Sequence, residues 1–293
     1  TINTLAVSLS SVGFGGTYSD TLLKARKVAL QFDLLKLLNK NYELKKIEIS
    51  RGFVNILFDK KNRHNLNIWK TATDSGKSDY SFNLKGLQLN GMQIRLVSLN
   101  EQFNITAMSE KSSFRGTYKA GVLSGDIRGD FVVDSALIKE KRLIHNASLA
   151  MQMKILYAKD RFRIRNSNIQ LNKAIFTLKG EYKSGKEKYI DLTVDVPKFG
   201  LDEMISLLPL RDNRLLNDFI FAGKGKLHAT VKGPLAKKGF LEISSRFDLT
   251  GCSAHNQKNR VSLEKINLSG TVSGTRADNF TLQIDRLTST LGK

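Results

Sequence analysis

Apolar and polar residues alternate with a period of two along almost the whole chain, and turn-type residues interrupt the alternation about every 8–12 positions. Val28, Leu30 and Phe32 form one such row. Ile47 and Ile49 form the next, after which Arg51-Gly52 is expected to turn the chain into Val54, Ile56 and Phe58. Asp59 to His64 reads as a polar loop. Leu87 and Leu89 lead into Asn90-Gly91, a pair that tolerates positive φ at both positions and so predicts a hairpin, with Met92, Ile94 and Leu96 returning. Further rows include Phe103 with Ile105, Phe176 with Leu178, Leu192 with Val194, Leu227 to Val231, Leu241 with Ile243, and Phe280 to Ile284. About eighteen strands are predicted in all.

Two segments read as short helices. Asp33 is suited to cap a helix through about Asn41, with Leu34, Leu35, Leu37 and Leu38 as its stripe, and a second runs from about Leu201 to Leu208 before Pro209. Each follows a strand that ends in Phe, Phe32 in one case and Phe199 in the other, which suggests an internal structural repeat. So many one-faced strands can bury their apolar sides in two ways. One is a long, curled, mainly antiparallel sheet forming a groove or half-pipe, about 80–90 Å long at the usual ~4.8 Å strand spacing. The other is a two-layer β-sandwich. With no flexible linker in view, the polar stretch Arg211 to Asn217 is the best division, giving a segment 1–210 and a continuing β segment 211–293.

Composition narrows the chemistry. The 47 Lys and Arg against 27 Asp and Glu leave a net charge of +20, which raises nucleic acid as a partner. The excess is dispersed, however: residues 1–70 hold 12 basic and 5 acidic residues, and residues 141–188 hold 12 and 3. Within strands the cations are mostly single positions beside apolar ones, as at Lys85 or Arg163 and Arg165, the pattern of a solvated strand face. No stretch has 18 consecutive apolar residues. Cys252 is the one cysteine, so no internal disulfide and no Cys-based zinc site can form. His64, His145, His228 and His255 lack metal-ligand spacing and read as surface residues. Gly13-Phe14-Gly15-Gly16 lacks the Lys-Ser/Thr of a phosphate loop. Asp202-Glu203 and Asp126/Asp130 read as helix-start and turn residues. Neither a cofactor, a metal nor an enzymatic activity is expected. Beginning at Thr1 and ending just after an alternating pattern, the chain is expected to be a segment of a longer protein.

The run Val28-Ala29-Leu30-Gln31-Phe32-Asp33-Leu34-Leu35-Lys36-Leu37-Leu38, then Leu44 to Ile49, Val54 to Ile56, and Asp59 to Asn65 with Trp69, resembles the N-terminal region of AsmA-like proteins. Their pattern is strand, "DLLxLL" helix, two strands and a "DxxGxxNW"-like turn. The segment Val196 to Pro209 is similar to a later strand and "LLP" helix of that family. The resemblance implies a periplasmic protein of the Gram-negative envelope, held to the inner membrane by a helix outside this chain. It also implies a non-enzymatic role in outer-membrane biogenesis and lipid homeostasis, as in the related TamB-type and bridge-like lipid-transfer proteins. Phospholipid or another anionic lipid is the expected ligand, with a membrane surface and envelope proteins as further partners and no nucleic acid. The row expected to line the groove is Val28, Leu30, Phe32, Ile47, Ile49, Val54, Ile56, Phe58, Leu87, Leu89, Met92 and Ile94. The alternative is a scaffold for envelope assembly that binds partners through strand edges.

Overall fold

The computed structural model describes residues 7–10, 21–32, 44–61, 63, 65, 82–119, 121–158, 160–184, 187–207, 218–235, 240–276 and 279–292. They are almost entirely strand: β1 (Val7–Ser10), β2 (Thr21–Phe32), β3 (Leu44–Phe58), β4 (Phe82–Ser98), β5 (Phe103–Lys119), β6 (Val122–Ile138), β7 (Lys141–Ala158), β8 (Arg161–Leu171), β9 (Ala174–Lys183), β10 (Tyr189–Gly200), β11 (Phe219–Pro234), β12 (Glu242–Asn256), β13 (Ser262–Arg276) and β14 (Asn279–Gly292). Hydrogen-bonded order equals chain order in one open sheet, which replaces the two-layer sandwich held open above. The strands number fourteen because several exceed the usual length of about five or six residues and absorb what the pattern had divided in two. Among the described pairings all are antiparallel except β3 with β4. The chain forms two compact units that divide between Gln152 and Met153, inside β7. The expected boundary at 211–217 lies outside the described residues.

In the first unit, the parallel pair β3–β4 needs a crossover, and the segment from Asp59 supplies it. Its start is tightly built. The Asp59 carboxylate accepts from the amides of Lys61 and Arg63, each at 2.8 Å, and from Arg63 Nε at 2.6 Å. Burial opposes ionisation of Asp59, but the Arg63 side chain and the two amides outweigh it and hold the carboxyl below the ordinary aspartate range. Asn65, fully buried, accepts from Leu57 N at 2.9 Å and donates through Nδ2 to Asn55 O at 2.7 Å. Its own amide donates to Leu57 O. The register of β2 on β3 ends at Leu23↔Val54, so the Asn65 amide stands in for a strand along Asn55 to Leu57.

Neither Arg51-Gly52 nor Asn90-Gly91 reverses the chain. Both lie inside strands, Arg51 at φ 59° in β3 and Gly91 at φ 58° in β4, on neighbouring positions between the pairs Ser50↔Asn90 and Gly52↔Met92. A left-handed residue within a strand resets the side-chain alternation by one position, so residues 47 and 49 share a face with 52 and 54, and 87 and 89 with 92 and 94. The packing bears this out: Ala25, Ile49 and Met92 form one buried cluster, against which Leu23, Val28, Ile47, Val54, Leu87 and Leu89 pack. In β2 the same row passes Arg26 and Lys27, consecutive residues that are both exposed. Asp126 and Asp130, expected in turns, are interior to β6 and stand opposite Arg115 and Lys111 of β5.

In the second unit, β10 runs into helix α1 (Leu201–Leu207), which carries Asp202 and Glu203 in its first turn and packs on β10 and β11. It is the one helix among the described residues. The helix expected at 33–41 lies outside them, so two helices are not borne out. Aromatic rings cover glycines on this sheet. A Cβ on Gly225 would come 2.4 Å from the Phe199 ring, as one on Gly125 would from Phe114 in the first unit. Such pairs shield backbone that a glycine leaves bare. Cys252 is buried, and desolvation raises its thiol pKa despite contacts to the carbonyls of Lys224 and Thr250.

Candidate functional site

The pairing registers of the first unit assemble the predicted apolar row into ladders that cross strands. Leu30 stands beside Ile47 and Leu87, and Val28 beside Ile49 and Leu89. Leu23, Val54 and Ile94 form a third ladder, and Ile56 meets Leu96. Phe58 pairs with Ser98, closing the row at one end. Phe32 lies at the end of β2 opposite Leu44, and its side chain is outside the described ones. Ile49 is 8% exposed and Met92 fully buried, while Val28, Leu30, Ile47, Val54, Ile56, Phe58, Leu87, Leu89 and Ile94 are half-buried. Partial burial is what lateral neighbours alone provide, and no other described element packs across this face.

The ladders continue beyond the predicted row. Leu87 leads to Phe114 and Ile127, Met92 to Ser109 and Phe131, Ile94 to Ala107 and Val133, and Leu96 to Ile105 and Ala136. Ala107, Val133 and Ala136 are buried, and Ile105, Phe131, Ile144 and Leu149 pack against them. β6 and β7 were missed in the sequence because small residues interrupt their apolar face. Two of the interruptions on β5, the buried Ser109 and Ser112, satisfy each other through an Oγ–Oγ hydrogen bond of 2.8 Å. In the second unit, the ladders Val194–Ala229–Ser245–Val272–Leu282 and Val196–Leu227–Phe247–Gly270–Ile284 repeat the arrangement. Their alternation was visible in the sequence, though no residue of this unit was assigned to the row. At the far edge, Phe280, Leu282, Ile284 and Leu287 of β14 are exposed, Leu287 by 59%.

The opposite face is more polar, but Leu57 and Val97 are buried on it beneath the turn at Asn65, and the registers align Phe53, Gln93, Met108 and Val132 across it. In the second unit some of its charges are paired across strands. Glu181 takes a 2.8 Å ion pair from Arg163, its register neighbour, and lies near Arg161 and Lys183. The Arg163 hydrogen bond, working against burial and aided by the other two cations, holds Glu181 below the ordinary range. Lys183 also sits over the Tyr189 ring at 5.3 Å. His228 pairs with Asp195, a register neighbour 33 residues away that sequence spacing could not reveal, and His145 contacts Asp134 O at 3.0 Å. His145, His228 and His255 are exposed; His64 and the Gly13–Gly16 segment lie outside the described residues. Among the described residues no three His, Cys, Asp or Glu side chains converge on a metal position.

No family model, no curated protein and no solved structure matches this chain.

Proposed function

We propose that the chain is a non-enzymatic lipid-handling segment of the AsmA-like type, which shelters phospholipid acyl chains on the apolar face of a curled β-groove in the periplasm and lets them pass toward the outer membrane. The observation that carries this reading is the apolar face of β2 to β6: register-aligned ladders of Leu, Ile, Val and Phe, mostly half-buried, with no described element over them. Exposed apolar patches larger than a few hundred Å² are rare on monomers, and an apolar face of this kind is stable in water when something apolar covers it. Acyl chains suit it because they are extended and need no precise polar partner, and the dispersed Lys and Arg suit anionic headgroups. The second unit carries ladders of the same kind on its own strands.

Mass spectrometry of organic extracts from protein purified out of a Gram-negative host tests the reading, together with uptake of a fluorescent phospholipid. Phospholipid should co-purify with the native chain. Val54→Asp with Ile94→Asp, which charges two half-buried neighbours of one ladder, should retain native circular dichroism and lose the lipid. Absence of bound phospholipid together with no uptake by the native chain rejects the groove. A second reading, a scaffold that accepts partner strands, draws on the exposed apolar row of the edge strand β14. It predicts lipid-free protein whose partner capture is abolished by Leu282→Lys with Leu287→Lys.

A further inference from the structure

A cavity of about 660 Å³ opens on the polar face of β2, β3 and β4, where the in-strand breaks line up. We propose that it is a binding site for a phosphate group, held by Arg26, Lys27 and Arg51. All three line the cavity. The one carboxylate in its wall, Glu48, is already engaged: Lys46 Nζ lies 3.5 Å from one oxygen and Asn90 Nδ2 donates to the other at 3.1 Å. Arg26, Lys27 and Arg51 make no ion pair or hydrogen bond among the described residues, unlike the cations gathered on Glu181. Three like charges around one concavity repel one another unless an anion joins them. Guanidinium groups pair with phosphate oxygens in bidentate fashion, and the volume falls in the range of about 300–1,000 Å³ typical of small-molecule sites.

Arg51 adds an independent reason. It holds φ 59°, a conformation that is strained for a non-glycine residue, while its β4 neighbour Gly91 meets the same requirement without that strain. The strained position thus carries a charged side chain at the cavity wall, as strained residues at ligand sites do. Glu48 and Ser50 alternate with Ile47 and Ile49, so the cavity lies on the face opposite the apolar ladders and stands or falls independently of the acyl-chain groove.

The phosphate can belong to a lipid headgroup or to a soluble ester, and two probes separate these sources. Calorimetry with inorganic pyrophosphate reads the soluble case; flotation with phosphatidylcholine vesicles, plain or containing phosphatidic acid, reads the membrane case. Arg51→Gly is the decisive variant, because glycine keeps the left-handed backbone and the melting temperature should stay near the parent's. It should weaken binding about tenfold or more, one charge-assisted contact being worth about 1.5–3 kcal/mol. Adding Arg26→Gln and Lys27→Gln should abolish binding. Pyrophosphate binding assigns a soluble ester; flotation that requires phosphatidic acid, without pyrophosphate binding, assigns a headgroup. Binding of neither probe overturns the proposal. An equal loss in a control that removes the exposed Lys119, Lys179 and Lys226 as Gln also overturns it, since net charge alone would then account for the binding.

Discussion

Asn65 shows how one side chain replaces a missing strand. Its amide both accepts from Leu57 N and donates to Asn55 O while itself fully buried, a pattern available to Asn or Gln but not to Asp, which has no donor. Asn65→Ala removes both of these bonds beside the Leu57–Val97 cluster and is expected to cost about 2–4 kcal/mol. Asn65→Asp should cost at least as much although it preserves shape, because it buries a charge and loses the bond to Asn55 O. Urea unfolding of the three proteins checks this; an Asp variant as stable as the parent would show that the turn is held by Asp59 and not by Asn65. The spacing of Asp59 and Asn65 was legible in the sequence as a polar turn. The burial of Asn65 was not, since the partner it serves is the backbone of β3, which the residue types do not reveal.

The breaks in β3 and β4 mark the limit of reading elements from local residue type. Arg51-Gly52 reads as a turn and Asn90-Gly91 as a hairpin that tolerates positive φ at both positions; positive φ occurs at Arg51 and Gly91 alone and inside strands, because a hairpin and an in-strand break make a similar demand on the residue. Only the partner strands decide. With β3 and β4 parallel and both broken at the same level, the ladder Ile49–Leu89 resumes as Val54–Ile94 on the same face. The apolar row therefore survived the wrong turn assignment, because the sequence pattern contained the phase reset whichever way the backbone achieved it. Two glycines at this level answer to different constraints. A Cβ on Gly52 would lie 1.8 Å from Lys24 O, so Gly52→Ala forces β2 and β3 apart, whereas a Cβ on Gly91 meets nothing within 4 Å. Gly52→Ala should destabilise at the upper end of the ~1–3 kcal/mol typical of overpacking. Gly91→Asn, which tolerates the left-handed region, should stay within about 1 kcal/mol of the parent. Denaturant midpoints compare them directly, and equal losses at both positions would mean that the conformation, not the close approach, governs this level of the sheet.

At the scale of the molecule, strand content and the single sheet formed by the described strands follow from different information. Alternation fixes a polar and an apolar side for each strand, and it did so for most of the fourteen. Whether those sides close on another sheet depends on strand order, which here simply repeats chain order and leaves one open sheet. The net charge of +20 belongs to the same picture. Carboxylates are too few to partner the cations, and pairs such as Arg163–Glu181 neutralise only part of the polar face. Folding thus brings together positive charges that the extended chain holds apart, and their repulsion weakens as the Debye length falls from about 10 Å at 0.1 M salt to about 3 Å at 1 M. The melting temperature at pH 7 is expected to rise between low and high sodium chloride. A fall would mean that screening removes more from the cross-strand pairs at Glu181 and Asp191 than it relieves among the unpaired cations, and would place the stability of the polar face in those pairs.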